Sequence, residues 1–98
     1  MPRYFMTWEV DPTRAPVDMK ERAVLWSAML EMVKQQMKEG TTKDWGAFVG
    51  EGRGYSVSEQ NPVEVATNLQ KYYPFVEFEV HQVLTADEMS EVMKSMMK

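Results

Sequence analysis

"FVEFEVHQV", Phe75–Val83, predicts a β-strand whose two faces differ in chemistry. Successive side chains of a strand point to opposite faces of the sheet. One face of this strand is mainly apolar, whereas the other carries Glu77, Glu79 and His81, the only histidine of the chain. An apolar face must be covered, so the strand indicates a sheet that packs against helices on one side and is open on the other.

The rest of the chain supplies the partners of this strand. "RYFMTWEV", Arg3–Val10, alternates in the same way and predicts a first strand. "KDWGAFVGEGRGYSVSEQ", residues 43–60, predicts two further strands that are joined at the glycine-rich turn. Apolar residues at spacings of three and four, with capping residues at the ends, predict helices from Pro16–Asp18 to Gly40, over residues 61–73 and over about 86–97.

The resulting order, β-α-β-β-α-β followed by a C-terminal helix, predicts a ferredoxin-like α+β fold in one domain, residues 1–98. In this fold the sheet has four antiparallel strands, and right-handed crossovers place the two main helices on one face. The first and last strands should be neighbours. A chain of 98 residues is long enough for one modest core.

Composition excludes several classes of function. Without cysteine, the chain has no disulfide, thiolate zinc site or cysteine nucleophile. The net charge of −4 and the scattered lysines and arginines argue against nucleic acid as a partner. An RNA-binding domain shares the strand order, but its basic and aromatic motif has no good match here. No membrane span or signal peptide is expected, and the predicted location is the cytoplasm.

Strand alternation assigns residues to the two faces of the sheet. The face under the helices is predicted to carry the bulky set Tyr4, Met6, Trp8, Tyr55, Val57, Val76, Phe78 and Val80. The open face is predicted to carry Phe5, Thr7, Glu9, Ser56, Ser58, Phe75, Glu77, Glu79, His81 and Val83. The strand from Trp45 to Gly50 fits either orientation, because Trp45, Ala47 and Val49 compete with Phe48 for the face under the helices. A face that mixes aromatic rings, carboxylates and hydroxyls suits contact with a second sheet around a wet cavity.

Short motifs in these strands resemble a family of bacterial and archaeal proteins of about this length and of unknown function. The motifs are Thr7-Trp8, Gly54-Tyr55 and Phe78-Glu79-Val80 followed by Val83-Leu84. That family is similar to the dimeric α+β-barrel group, which includes cofactor-free monooxygenases, muconolactone-isomerase-like proteins and haem-degrading enzymes. The resemblance implies a homodimer formed through the open sheet face. It transfers no catalytic residue, and the methionine-rich first helix and tail depart from the pattern.

The candidate site is the polar part of the open face. Glu79 and His81 are the candidate catalytic pair, because a carboxylate beside an imidazole can move protons near neutral pH. The candidate ligand-binding residues are Phe5, Thr7, Glu9, Phe75 and Glu77. No metal or other cofactor is expected, since one histidine among glutamates has no recognised ligand spacing.

Three functions stay open at this point. The preferred one is binding of a small, partly apolar molecule in a cavity between the sheets of a homodimer. The second is a cofactor-free enzyme, isomerase-like or monooxygenase-like, that uses Glu79 and His81. The third is a structural assembly module whose methionine-rich tail docks on a partner. A plain solvated sheet face is the competing interpretation of the same glutamates and histidine.

Overall fold

One antiparallel sheet and the helices that cover it organise the chain. The computed structural model describes all residues, 1–98. The strands are β1 (Arg3–Val10), β2 (Thr42–Ala47), β3 (Arg53–Glu59) and β4 (Val76–Val83). The helices are α1 (Met19–Glu39), α2 (Pro62–Gln70) and α3 (Ala86–Met96). None of these helices combines the length and the apolar character that crossing a membrane would require.

The sheet has the strand order β2-β3-β1-β4. β1 lies at its centre and pairs antiparallel with β3 on one side and with β4 on the other. The predicted ferredoxin-like arrangement is therefore confirmed, including the adjacency of the first and last strands. β1 and β4 alternate in phase, because Met6 pairs with Val80 and Thr7 pairs with Glu79.

Local capping signals set the helix ends. The Asp18 carboxylate accepts a hydrogen bond from the backbone N–H of Glu21 at 3.0 Å and begins α1. Gly40 ends the same helix in the left-handed region at a φ of 86°, which glycine adopts without a steric penalty. Thr85 and Glu88 form a complete capping box at the start of α3. The sequence predicted all three ends.

The core lies between the sheet and the helices and is small. Only 11 of the 98 residues are buried. The buried apolar residues form two clusters: Met29, Val33, Tyr72 and Val76, and separately Tyr4, Met6 and Val65.

The predicted faces of β3 are reversed. Ser56 pairs with Met6 and shares its buried face, and Ser58 lies on the same side. Tyr55 and Val57 therefore lie on the open face, opposite to the prediction. The prediction was wrong because it placed the bulky residues of every strand under the helices, whereas β3 turns its small residues inward.

Gly54 explains why β3 has this orientation. It lies opposite Trp8, and the Trp8 indole occupies the space above it, where a Cβ atom would stand. The indole N–H donates a hydrogen bond to the carbonyl oxygen of Tyr55 at 3.2 Å. The same ring stacks on Trp45, with centroids 5.4 Å apart and planes 9° apart. This contact also places Trp45 on the helix side, which the sequence left open.

Phe75 does not lie on the open face, so its predicted placement is wrong. β4 begins at Val76, and Phe75 packs against the core cluster that contains Tyr72 and Val76. Its N–H donates to the carbonyl oxygen of Tyr72 at 2.9 Å, and its own carbonyl accepts from Asp11 at 2.9 Å. Strand alternation does not apply to Phe75, because it still belongs to the turn.

α3 carries an apolar stripe that its own subunit does not bury. No residue from Ala86 to Lys98 is buried. The molecule is 61 Å long and 22–24 Å wide, and its radius of gyration is 16.2 Å, against about 13 Å for a compact chain of this size. That the methionine-rich tail covers a partner stays a prediction.

Candidate functional site

The open face brings together most of the residues that the sequence proposed. In the register of β1 and β4, three cross-strand pairs follow one another: Phe5 with His81, Thr7 with Glu79, and Glu9 with Glu77. Six of the seven predicted side chains therefore share one surface, which extends over these three pairs. The seventh, Phe75, is the one that packs into the core.

Glu79 and His81 form the predicted contact. The Nε2 atom of His81 lies 3.0 Å from Oε1 of Glu79. The Glu79 side chain is 73% exposed, and the His81 side chain is 58% exposed. An ion pair as exposed as this one contributes little to stability, typically about 0–1 kcal/mol. In a single subunit the pair is therefore a solvent-facing contact, and only a second molecule on this face would enclose it.

A hollow on the open face adjoins this pair. Its volume is about 390 Å³, and Thr7, Glu9, Glu77 and Glu79 contribute to its lining, as do Phe48 and Arg53. Sequence reasoning missed Phe48 and Arg53, because both lie at the ends of the glycine-rich turn, whose geometry alternation does not predict. Arg53 adds a positive charge to three carboxylates, although its Nε also bonds Glu51 at 3.0 Å.

Aromatic rings continue the open face across β3. Phe5 stacks with Tyr55, their centroids 6.3 Å apart, and Tyr55 stacks with Phe48 at 6.5 Å. The Tyr55 hydroxyl donates a hydrogen bond to the Asp44 carboxylate at 3.1 Å. That bond, with a smaller effect of burial, raises the pKa of Tyr55. The open face therefore has an apolar half and an acidic half.

A second cavity, half-open to solvent, lies on the other side of the sheet, between β3 and the helices. We call this cavity the inner chamber. It has a volume of about 340 Å³, which lies within the range of roughly 300–1,000 Å³ for small-molecule sites. It exists because β3 presents only Gly54, Ser56 and Ser58 to a space where a core strand would have large apolar side chains.

Aromatic side chains form much of the wall of the inner chamber. All three tryptophans of the chain contribute to it, along with Tyr72 and Phe78. The Tyr72 hydroxyl donates to Oε1 of Gln36 at 3.2 Å. Burial raises the pKa of Tyr72, despite the opposing effect of that hydrogen bond, so the hydroxyl stays neutral. No Asp, Glu, Lys, Arg or His lines the chamber.

A chain of hydrogen bonds forms the polar wall of the chamber. Asn68 of α2 donates to Oε1 of Gln60 at 2.9 Å, and Gln60 donates to the Ser58 hydroxyl at 2.6 Å. The Ser58 hydroxyl in turn donates to the carbonyl oxygen of Thr41 at 3.1 Å. Because Gln60 and Ser58 are buried, this chain ties α2 to β3 and to the turn before β2.

Ser56 differs from these neighbours. It is 8% exposed and lines the inner chamber, yet its hydroxyl makes no hydrogen bond within the protein. Its oxygen remains accessible from the chamber, because no fully buried side-chain oxygen or nitrogen of the protein lacks a partner. A polar atom of a ligand or of water can therefore bond to this hydroxyl. The sequence signal for the chamber is the alternation of small and polar residues along β3, namely Gly54, Ser56 and Ser58, which Gln60 continues just beyond the strand.

Replacing Gln60 by leucine should lower the free energy of unfolding by about 2–3 kcal/mol, measured by urea denaturation. The change removes the acceptor of Asn68 and the donor to Ser58 while both remain partly or fully buried, and unsatisfied buried groups carry this cost. Gln70→Leu makes the same substitution at an exposed position and should stay within about 0.5 kcal/mol. Equal effects of the two substitutions would contradict a structural role for the chain of hydrogen bonds.

No group of three or more histidine, aspartate and glutamate side chains is placed to hold a metal ion. Glu9, Glu77, Glu79 and His81 share a face of the sheet but do not form such a group.

The comparisons with known proteins give a family and no activity. No curated protein matches the chain. Residues 2–97 match a domain of unknown function, DUF3303. The match extends over nearly the whole chain and agrees with the expected membership of a small uncharacterised family. The chain belongs to the DUF3303 family, whose function is unknown.

Proposed function

We propose that this protein binds a small, uncharged and largely apolar molecule in the inner chamber. The observation that carries the proposal is an apolar cavity of about 340 Å³ whose lining includes no charged side chain. Cavities with mainly apolar walls and a few convergent polar groups are the usual form of small-molecule sites. Here the polar groups are Ser56, the hydrogen-bond chain at Gln60, and the Gln36–Tyr72 pair.

The absence of charge from the lining determines which ligands fit. An ion that enters a low-dielectric cavity loses its hydration, and nothing in the chamber wall offers an opposite charge in return. A neutral molecule has no such cost and gains from leaving water, at about 25 cal/mol for each Å² of apolar surface that is buried. We therefore expect strong discrimination between a neutral ligand and its charged analogue.

The test compares 2-methylnaphthalene with 2-naphthoate, which share a ring system and differ in charge. Binding is followed by two-dimensional NMR, in which the indole N–H signals of Trp8, Trp26 and Trp45 report directly on the chamber wall. The neutral compound should shift these signals and bind about tenfold tighter or more, equivalent to about 1.4 kcal/mol. Equal binding of the two compounds, or shifts confined to the open face, would refute the proposal.

The open face supports a second candidate function, in which two copies pair sheet to sheet and hold a small molecule between them. The specific observation in its favour is the exposed aromatic row of Phe5, Tyr55 and Phe48 beside the acidic hollow. A pairing of this kind would enclose Glu79 and His81, and their contact would then be positioned to transfer a proton. This second candidate function is supported by the geometry of the open face, and it requires a second copy of this chain as the partner.

Phe5→Asp should convert the homodimer of this second candidate into monomers in sedimentation equilibrium. Phe5 is 38% exposed and stacks within the aromatic row, so an aspartate there would place one carboxylate from each copy in the apolar part of the interface. Val63→Asp adds the same charge at a position on α2 that is 74% exposed and should leave the dimer intact. A wild-type chain that sediments as a monomer would remove this candidate.

A further inference from the structure

The inner chamber contains one polar group that the protein itself leaves unpartnered. The Ser56 hydroxyl lines the chamber and has no hydrogen bond within the protein, although the residue is more than nine-tenths buried. The neighbouring Ser58 hydroxyl, on the same face of β3, is bonded on both sides. The two serines on this strand face therefore differ: Ser58 is bonded within the protein, whereas the hydroxyl of Ser56 keeps its full hydrogen-bonding capacity for a ligand.

The rest of the chamber wall offers aromatic rings. Trp8 and Trp45 stack in nearly parallel planes, and Trp26 lies on the helix side of the same cavity. The Trp8 N–H is already bonded to the backbone of Tyr55, so this indole offers the chamber an apolar surface. Aromatic rings prefer offset-stacked or edge-to-face contacts with one another, and such pairs gain affinity beyond the area they bury.

We infer that the ligand of the inner chamber is a flat aromatic compound with one hydroxyl or carbonyl oxygen, and that this oxygen hydrogen-bonds to Ser56. This inference rests on the proposed function and narrows it to a chemical class. The Ser56 hydroxyl donates a hydrogen bond to the oxygen of the ligand or accepts one from the ligand hydroxyl, while the rings pack against the tryptophans. An aliphatic molecule of equal size lacks the ring contacts, and an aromatic hydrocarbon leaves Ser56 unsatisfied.

Three probes separate these contributions. 2-Naphthol has the ring and the oxygen, 2-methylnaphthalene has the ring alone, and decahydro-2-naphthol has the oxygen on a saturated skeleton. The dissociation constant of each is measured by NMR titration against the indole N–H signals of the full chain. 2-Naphthol should bind about tenfold tighter than either of the other two, because each of them lacks one kind of contact.

Ser56→Ala tests the assigned hydrogen bond. The ratio of the dissociation constants of 2-methylnaphthalene and 2-naphthol should fall from about ten to about one in this variant. Ser27→Ala makes the same change on the exposed side of α1 and should keep the wild-type ratio. A Ser56→Ala variant that keeps the wild-type ratio would exclude Ser56 as the partner of the oxygen.

The outcomes for the inference and for the proposed function are distinct. If all three probes bind with similar affinity, the chamber binds neutral molecules but the aromatic, oxygen-bearing class is wrong. If the saturated probe binds best, the inferred role of the tryptophans is wrong. If none of the three shifts the indole signals, the proposed function and the inference both fail.

Discussion

Gly54→Ala should lower the free energy of unfolding by about 3 kcal/mol or more, the largest effect on stability that we expect from a single methyl group in this chain. The added Cβ would fall inside van der Waals contact of the Gly46 carbonyl oxygen and 2.6 Å from Cζ2 of Trp8. Neither neighbour can move cheaply, because the first belongs to the β2 backbone and the second is stacked on Trp45. For a domain of this size the melting temperature should fall by about 12–24 °C.

Gly52→Ala is the matched control for this prediction. A Cβ at Gly52 meets only Val10, at an ordinary contact distance of 3.7 Å, and Gly52 does not need a positive φ. Its melting temperature should therefore stay within a few degrees of the wild-type value. Both temperatures are measured by circular dichroism. If Gly54→Ala has the same melting temperature as Gly52→Ala, the close approach of Trp8 to β3 is not a feature of the protein in solution.

The sequence predicted those parts of the fold that depend on local interactions. The ends of α1 follow from Asp18 and Gly40, whose preferences arise from bonds within a few residues of each. The pairing of β1 with β4 could be predicted for a related reason. Both strands alternate strongly, and a slip by one residue would move every apolar side chain to the wrong face.

β3 shows where this reasoning fails. Its inner residues are small because the Trp8 ring occupies the space above Gly54, and that contact joins residues far apart in the sequence. Alternation alone assigned Tyr55 to the core, since burial of bulky side chains is the general rule. The actual arrangement places Tyr55 in an open-face row with Phe5, which only the three-dimensional register determines.

The two candidate sites also differ in whether the sequence could predict them. The pair Glu79 and His81 could be predicted, because both residues lie on one strand and a spacing of two places them on one face. The inner chamber could not be predicted, because a cavity is a volume that remains when α1, α2 and the sheet have packed. Its only trace in the sequence is the set of small residues on β3, which propensity alone treats as a weak strand.

Ser56→Leu should weaken binding in the inner chamber strongly without destabilising the protein. Leucine has two more side-chain heavy atoms than serine, and they would extend from the wall into a cavity of about 340 Å³. The Ser56 hydroxyl has no hydrogen bond in the protein to lose. Filling an apolar cavity commonly raises stability by about 0.5–2 kcal/mol. The affinity for 2-naphthol should fall about tenfold or more, because the ligand and the new side chain compete for one space.

The two measurements together distinguish filling of the chamber from general damage to the fold. Urea denaturation should show equal or higher stability for Ser56→Leu, while NMR titration shows the loss of 2-naphthol binding. Ser27→Leu places the same side chain on the exposed surface of α1 and should bind 2-naphthol as the wild type does. Retained affinity in Ser56→Leu would place the ligand elsewhere, and a fall in stability of several kcal/mol would mean that the chamber has no room for a leucine and hence none for a ligand.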